Sequence, residues 1–264
     1  MQKNILFEDQ HIIVVYKPAG IATQTARIGQ QDMVSELKNY LAQKPGSKSC
    51  REPYLGIVHR LDQPVSGLLV FGKTKACAAG LSRQITNGQM QKYYYAVVLG
   101  SPADTHGRLE DYLYKDARSN QSLIVKEGFP GAQKAVLDYR QLQTLMVIEE
   151  VHGYKEYRDY ARHLSSPRPS SFPKSQLISL LEIRLLTGRH HQIRAQMAHA
   201  DMPLLGDSKY GTSFSKALSQ KTGCRNVALC AYKLIFHHPV TREEISFEKQ
   251  PEAEIFLPFF TRGI

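Results

Sequence analysis

The chain has 264 residues, with 34 Lys and Arg against 24 Asp and Glu, for a formal net charge of +10. The 42% hydrophobic and 22% charged residues are typical of a folded globular protein, and no apolar run reaches the roughly 20 residues of a transmembrane helix. The N-terminus has no apolar signal core and the four cysteines form no CxxC pair, which predicts a cytoplasmic protein without a disulfide framework. The positive charge favours a polyanionic partner such as nucleic acid, although charge alone leaves open a basic surface with no specific partner.

The first half of the chain predicts alternating short strands and helices. Ile5–Phe7 and Ile12–Tyr16 read as strands, and the continuous β-branched run of the second indicates burial on both faces. Residues 17–20 read as a Pro/Gly turn. The next predicted elements are a helix over 32–41, a loop over 44–48, a strand over 68–71, a helix over 75–85, a turn at 87–88, a strand over 93–99, and strands over 135–142 and 145–151 that pair with each other.

The second half predicts one irregular segment and further strands. Residues 154–175 are polar and rich in Ser and Pro, which predicts an inserted surface loop. The later predicted elements are a strand over 177–186, a turn at 187–189, a helix from about 191 to 199, a turn-rich connection over 201–207, and strands over 228–236 and 244–247. Many strands with few helices, in irregular order and with no internal repeat, predict an α+β fold.

Asp62 stands out because it lies directly before an apolar strand. Three interpretations are open: a carboxylate that caps a turn, a structural partner of a base such as Arg60, or a catalytic nucleophile or general base. The segment taken alone favours the structural interpretations, because Asp is common at turns.

A second polar segment follows the strand that ends near Leu186. Gly188 turns the chain and Arg189 lies close to the start of a predicted helix, where backbone amides and guanidinium groups favour anions. Arg194 lies one turn into that helix, although a surface helix with solvated arginines is the alternative. Because His59–Asp62, Lys92–Tyr95 and Thr187–Arg194 each adjoin an apolar strand, we expect these strand ends to converge on a site.

Four motifs carry a family resemblance. Residues 59–71, which read HRLDQPVSGLLVF, closely resemble the HRLDxxTSGLLLF signature of RluA-type RNA pseudouridine synthases. TGRHHQIR at 187–194, continued by PLLGDSKYG at 203–211, is similar to the TGRxHQIR and HPxxGDxxYG motifs of that family. Two further matches are the opening segment, with ED at 8–9 and VVYKPAG at 14–20, and KYYYA at 92–96. The motifs lie in family order and span nearly the whole chain.

The resemblance implies a fold and an activity. It implies one catalytic domain over 1–264, with an active-site cleft and a central mixed, largely antiparallel sheet flanked by helices and loops. It implies isomerisation of specific uridines to pseudouridine in tRNA, in 23S rRNA or in both, by a monomer that needs no cofactor, metal or obligatory protein partner. The S4-type RNA-binding domain that many members carry at the N-terminus is not expected, because the first motif begins almost at Met1.

The resemblance also implies residue roles. Asp62 matches the catalytic aspartate, Tyr94 the active-site tyrosine that packs against the base, and Arg194 the basic residue that pairs with the aspartate. Arg60 matches the arginine that fills the gap left by the flipped-out nucleotide, and Leu229 corresponds to the apolar residue that lines the uracil pocket. The complete set of expected substrate-binding residues is His59, Arg60, Arg189, His191, Gln192 and Leu229.

Two departures and two alternatives accompany this interpretation. Val65 replaces the usual Thr and Tyr16 the usual Asn, at positions that carry no chemistry in the family. One alternative is a non-catalytic RNA-binding or RNA-folding factor that retains the fold, although it would have no chemical reason to keep Asp62, Tyr94 and Arg194. The other alternative, a glycoside hydrolase, would need a pair of carboxylates where these motifs supply one and a cation.

Overall fold

A computed structural model describes residues 2–25, 29–44, 52–149, 155–159 and 177–261. The chain divides into two compact units, the first comprising residues 1–92 and 231–250 and the second residues 93–230 and 251–264. Within the described ranges, none of the helices is both long enough and apolar enough to cross a membrane.

The structure contains twelve strands and five α-helices among the described residues. In chain order they are β1 (Ile5–Glu8), β2 (Ile12–Lys17), α1 (Met33–Ala42), β3 (Gly56–Ile57), β4 (Ser66–Gly72), α2 (Lys75–Thr86), β5 (Gln91–Leu99), β6 (His106–Asp116), β7 (Gln121–Val125), β8 (Gln133–Glu149), β9 (Lys155–Asp159), β10 (Leu177–Leu185), α3 (Gln192–His199), α4 (Ser213–Lys221), β11 (Leu229–His237), β12 (Glu244–Glu248) and α5 (Leu257–Phe260). Short 3-10 helices cover Gln2–Asn4 and Glu254–Phe256.

The first unit is built on strands in the order β1-β2-β4-β11, with β3 paired to β4 and β12 paired to β11. Every residue of β2 and of β4 is buried, and the two strands run antiparallel with Val14 opposite Val70. This confirms the prediction that β2 is covered on both faces. Both helices of this unit begin as their sequences indicate: Asp32 caps α1 by accepting from the N–H of Ser35, and Thr74 caps α2.

The second unit is built on strands in the order β5-β10-β8-β6-β7, with β9 paired to β8. The β10–β8, β8–β6, β6–β7 and β8–β9 pairs are all antiparallel. Strands dominate both units and the helices are few, which confirms the α+β class with a largely antiparallel sheet.

The prediction of two strands over 135–142 and 145–151 that pair with each other is wrong, because the described part of this range lies in a single strand. The strand β8 runs unbroken through Glu149. Leu180 lies opposite Gln143 and Leu181 opposite Gln141, so Leu142 is an extra residue in the ladder. Such a bulge shifts the alternation of inward- and outward-facing side chains by one residue. In the sequence, this shift looks the same as the end of one strand and the start of another. No Gly, Pro, Asn or Asp lies between residues 141 and 145 to turn the chain.

The predicted inserted loop over 154–175 lies largely outside the described residues. The part that is described, Lys155–Asp159, forms a strand rather than a loop, and it pairs with Leu145–Glu149 of β8. The sequence prediction also missed β6, β7 and α4. The burial of β6 is weak and mostly intermediate, so its sequence lacks the apolar run that marks a buried strand.

Candidate active site

Asp62 lies half-buried in the segment between β3 and β4, and that segment is tied to the turn after β2. The Thr23 hydroxyl donates to the carbonyl of Leu61 over 3.0 Å, and the N–H of Leu61 donates back to the same hydroxyl oxygen over 3.2 Å. The N–H of Gly20 donates to the carbonyl of Gln63 over 2.8 Å, and the side-chain amide of Gln63 donates to the carbonyl of Gly20 over 3.0 Å. The residues on both sides of Asp62 are therefore held in place.

Lys17, the last residue of β2, provides a second anchor beneath the same segment. Its side chain is fully buried, and its ammonium donates to the carbonyls of Pro18, Ile21 and Gln63 over 3.0, 2.7 and 3.2 Å. Burial lowers the pKa of Lys17 to about 7, while the negative charge of Asp62 acts in the opposite direction. Sequence reasoning assigned Lys17 no role, although a lysine that ends a wholly buried strand was an available signal.

His59 and Arg60, which precede Asp62, differ in their surroundings. His59 is half-buried, and its Nε2 accepts a hydrogen bond from the N–H of Val70 over 3.3 Å. Burial, together with the positive charge of Lys92, lowers the pKa of His59 to about 3, so the ring is neutral near pH 7. Arg60 is exposed to solvent. His59 therefore links the Asp62 segment to β4, while Arg60 remains accessible to a ligand.

Gly67 allows β4 to approach β11 closely. Its φ is +131°, and a Cβ at this position would lie 2.4 Å from both the backbone nitrogen and the carbonyl oxygen of Ala231. A side chain is therefore excluded by backbone conformation and by contact with β11. The packing that holds the start of β4, five residues after Asp62, depends on this glycine.

In the second unit, Arg194 forms a buried ion pair with Asp207. The Nε and Nη2 atoms of Arg194 donate to the two carboxylate oxygens of Asp207 over 2.7 and 2.8 Å, and the two side chains are 4% and 0% exposed. Asp207 also accepts from the N–H groups of Lys209 and Tyr210 over 2.9 and 3.1 Å. Burial alone would raise the pKa of Asp207, but the bonds and charge of Arg194 and the two backbone donors outweigh burial and lower it.

Tyr210 connects Arg194 to the two histidines at the start of α3. The Arg194 guanidinium carbon lies 5.2 Å from the centre of the Tyr210 ring, in cation–π geometry. The Tyr210 hydroxyl accepts from the N–H of Ser122 over 2.6 Å and lies 2.9 Å from Nδ1 of His191. His191 has a left-handed backbone with φ of 51° and stacks on His190 with ring centres 3.8 Å apart.

Gln192, the first residue of α3, holds the turn before the helix through four hydrogen bonds of its side-chain amide. The Gln192 amide oxygen accepts from the Thr187 hydroxyl and the Arg189 N–H over 2.8 and 2.9 Å, and its nitrogen donates to the Val136 carbonyl and the Gln196 side chain over 3.1 and 3.0 Å. This amide therefore braces the turn before α3.

The other three predicted residues comprise one exposed arginine and two buried side chains. Arg189 is exposed, and its Nε donates to the carbonyl of Lys134 over 2.9 Å. Tyr94 on β5 and Leu229 at the start of β11 are 5% and 4% exposed.

Within each unit the structure thus gathers part of the predicted site. His59, Arg60 and Asp62 share one anchored segment of the first unit, and Arg194 lies on the helix that follows Arg189 in the second. The predicted pairing of Asp62 with Arg194 stays a prediction. Sequence reasoning missed Asp207 and Tyr210, although both lie in the motif at 203–211.

The described residues hold no obvious metal site. Among them, no three or more His, Cys, Asp or Glu side chains are grouped so that they could hold a metal ion. The chemistry available from the described side chains is that of a carboxylate, buried cations and tyrosines.

Comparisons with known proteins identify the family of the chain. Residues 11–199 match the RNA pseudouridylate synthase family. The chain is 33% identical over 261 residues to the ribosomal large subunit pseudouridine synthase D of Zymomonas mobilis, covering 97% of this chain and 71% of that protein. It is 30% identical over 250 residues to the tRNA pseudouridine synthase C of Pasteurella multocida, covering 93% and 90%.

A solved structure shows the same fold. Human RNA pseudouridylate synthase domain containing 4 superposes with a TM-score of 0.68 at 20% identity, over 99% of this chain and 93% of that one. The chain belongs to the RNA pseudouridylate synthase family. It is accordingly an isomerase that converts uridine to pseudouridine in RNA.

Proposed function

We propose that Asp62 is the catalytic carboxylate of this isomerase and that it acts on a uridine flipped out of the RNA stack. The observation that carries the proposal is the anchoring of its segment by Thr23, by Gln63 and by the fully buried Lys17. A half-buried carboxylate whose neighbours are fixed on both sides keeps its position when substrate arrives, and such preorganisation lowers the cost of reaching a reactive geometry.

The reaction requires an ionised carboxylate. The bond between uridine N1 and C1′ breaks, a bond between C5 and C1′ forms, and the proton on C5 is replaced while N1 gains one, so substrate and product contain the same atoms. An ionised Asp62 can serve as a nucleophile at the sugar or as a base. The ammonium of Lys17 interacts favourably with that negative charge, which supports either role.

Tyr94 and Arg194 are proposed to act in the same reaction. Tyr94 is buried on β5 and offers an aromatic ring for stacking against the extruded base. The Arg194 guanidinium is positioned by both oxygens of Asp207 and by the Tyr210 ring, so its direction is set before substrate binds. A cation held in this way is suited to pairing with the catalytic carboxylate, as the family resemblance implies.

The proposed RNA contacts come from the exposed residues around these segments. Extruding a base costs a few kcal/mol, and the exposed Arg60 would offset part of this by filling the gap in the stack. Arg189, at the start of α3, is proposed to contact the RNA, with His191 beside it. Gln192 acts on the substrate through the turn that its amide braces.

His59 and Leu229 are proposed to shape the pocket rather than to bind charge. His59 is neutral and accepts from the backbone of β4, and Leu229 contributes a buried apolar surface. We further propose that the protein acts as a cytoplasmic monomer. The two named relatives support tRNA, 23S rRNA or both as substrate, since one is a ribosomal large subunit synthase and the other a tRNA synthase.

The test is chemical mapping of pseudouridine in unmodified tRNA and 23S rRNA transcripts incubated with the wild-type protein or with Asp62→Asn. We expect new pseudouridine with the wild type and none with Asp62→Asn, while both proteins bind the RNA. Glu52→Gln is the matched control, because Glu52 pairs with Lys38 on the surface with a side chain 73% exposed. Full activity of Asp62→Asn would refute the role of Asp62. Salt-sensitive RNA binding by the wild type with no product on any RNA would favour the non-catalytic alternative.

A further inference from the structure

Lys92 is a buried cation that the proposed reaction does not use. It lies near the start of β5 and is 9% exposed. Along β5 the buried residues alternate, with Lys92, Tyr94 and Ala96 buried and Tyr93 and Tyr95 partly exposed between them. Because side chains two residues apart project from the same face of a strand, Lys92 shares the face of Tyr94.

Among the described residues, Lys92 differs from Arg194 and Lys17 because its ammonium has neither a counter-charge nor a hydrogen-bond acceptor. Arg194 is neutralised by Asp207, and Lys17 is satisfied by three carbonyls. In the part of the chain that the structure describes, no carboxylate and no hydrogen-bond acceptor contacts the ammonium of Lys92. His59 supplies no negative charge either, because burial and the positive charge of Lys92 lower its pKa to about 3 and leave the ring neutral.

The ammonium nevertheless reaches solvent. Among the described residues, every completely buried side-chain nitrogen or oxygen has a hydrogen-bond partner. Since Lys92 has no such partner, its nitrogen is not completely enclosed and keeps some contact with solvent.

A buried ammonium with no partner destabilises the folded protein, and binding of an anion relieves this destabilisation. Burial lowers the pKa of Lys92, which shows that its surroundings disfavour the charge. Buried groups whose pKa values are shifted in this way cluster at functional sites. The substrate of this enzyme is RNA, and every nucleotide of RNA supplies a phosphate that an ammonium can bind.

We infer that Lys92 binds a backbone phosphate of the RNA at or next to the target nucleotide, on the same face of β5 as Tyr94. This inference rests on the proposed function, because the anion is the RNA on which Asp62 acts. A phosphate contact at this place would hold the extruded nucleotide by its backbone, independently of which base is present. Lys92 would then contribute to affinity and registration rather than to sequence selection.

The experiment measures RNA affinity without turnover. Lys92→Met and Lys92→Arg are made in an Asp62→Asn background, and their dissociation constants are measured by fluorescence anisotropy at several KCl concentrations. The probe is whichever unmodified transcript, tRNA or 23S rRNA fragment, the wild type modifies in the mapping assay. Lys75→Met is the matched control, because Lys75 is an exposed lysine at the start of α2.

We expect Lys92→Met to weaken binding by about 10-fold and to reduce the slope of log K against log[salt] by about 1, the value of one phosphate contact. Lys92→Arg retains the charge and should recover most of both. The melting temperature of Lys92→Met should equal or exceed that of the parent protein, because Met fills the same space without burying a charge. Lower affinity with undiminished stability separates a binding role from a structural one.

The inference is overturned if Lys92→Met binds with the parent affinity and salt slope, or if Lys92→Arg loses as much as Lys92→Met. Should Lys92→Met fail to fold, Lys92→Gln is measured in its place under the same criteria. Because all variants share the Asp62→Asn background and only binding is compared, the measurements give an answer whether or not Asp62 proves to be the catalytic group.

Discussion

Asp207→Asn is expected to be strongly destabilising, because it removes one partner of a buried ion pair. The substitution keeps the shape of the side chain but removes the negative charge that faces Arg194 across two hydrogen bonds of 2.7 and 2.8 Å. Both side chains are almost completely buried, at 4% and 0% exposure. Breaking such a pair from one side costs about 3–5 kcal/mol. That is a large share of the 5–15 kcal/mol by which a folded domain is typically stable.

The assay is urea unfolding followed by circular dichroism, with the midpoint and the slope fitted for each variant. Asp138→Asn is the matched control, since Asp138 pairs with Arg108 at 2.7 Å on the surface, where the side chains are 32% and 59% exposed. An exposed pair of that kind contributes about 0–1 kcal/mol. The free energy of unfolding should therefore fall several times further for Asp207→Asn than for Asp138→Asn.

The difference between wild type and Asp207→Asn should depend on pH. The pKa of Asp207 is lowered from an ordinary value of 3.8, so its stabilising effect is fully present above pH 3.8 and is lost as pH falls through the lower, folded-state pKa. The stability difference should be constant from pH 5 to 8 and narrow below pH 3.8. A loss below about 1 kcal/mol at pH 7, or a difference that grows on acidification, would refute this account of the pair.

Three further outcomes are expected. Gly67→Ala should lower the free energy of unfolding, measured by urea titration, by about 3 kcal/mol, because the new Cβ would lie 2.4 Å from the Ala231 backbone. Gly88→Ala should lower it by only about 1 kcal/mol, because Gly88 has a φ of +69° but open space around it. Equal losses would contradict the role of the contact with Ala231. Lys17→Met should reduce kcat by roughly 10- to 100-fold and leave the affinity for RNA unchanged, because the Asp62 segment loses its buried hydrogen-bond donor. An unchanged kcat in single-turnover assays would exclude a role for Lys17 in positioning Asp62. The pKa of His59 is about 3 in the folded protein against 6.5 ordinarily, so the unfolded state binds more protons between these pH values. The stability of the wild type should therefore fall as pH decreases from 6.5 to 3. In thermal melts, His59→Gln should lose less stability than the wild type over that range.

Several features of the fold were predictable because they depend on local patterns. The continuous β-branched run of β2 indicated burial on both faces, and all six of its residues are buried. The helical spacing of apolar residues over 32–41 and over 75–85 placed α1 and α2 to within a residue or two of their ends. The order of the motifs along the chain was sufficient to identify the family, because comparing motif order requires no knowledge of tertiary contacts.

The wrong division of β8 into two strands shows what a local sequence pattern cannot predict. The shift of alternation at Leu142 has two causes that look the same in sequence: a turn between strands, or a bulge within one strand. The partner strand decides between them, because Leu180 and Leu181 must find neighbours across the ladder. That information lies about 40 residues away along the chain.

The sequence by itself determined the family, the class of fold and the residues proposed to carry the chemistry, including Asp62, Tyr94 and Arg194. Only the tertiary structure decided what holds some of them: Lys17 and Thr23 beneath the Asp62 segment, and Asp207 opposite Arg194. The physical reason is that burial and ion pairing depend on distances between residues far apart in the chain. A lysine and an aspartate look like surface residues in sequence, and only their enclosure by the fold makes them structural anchors.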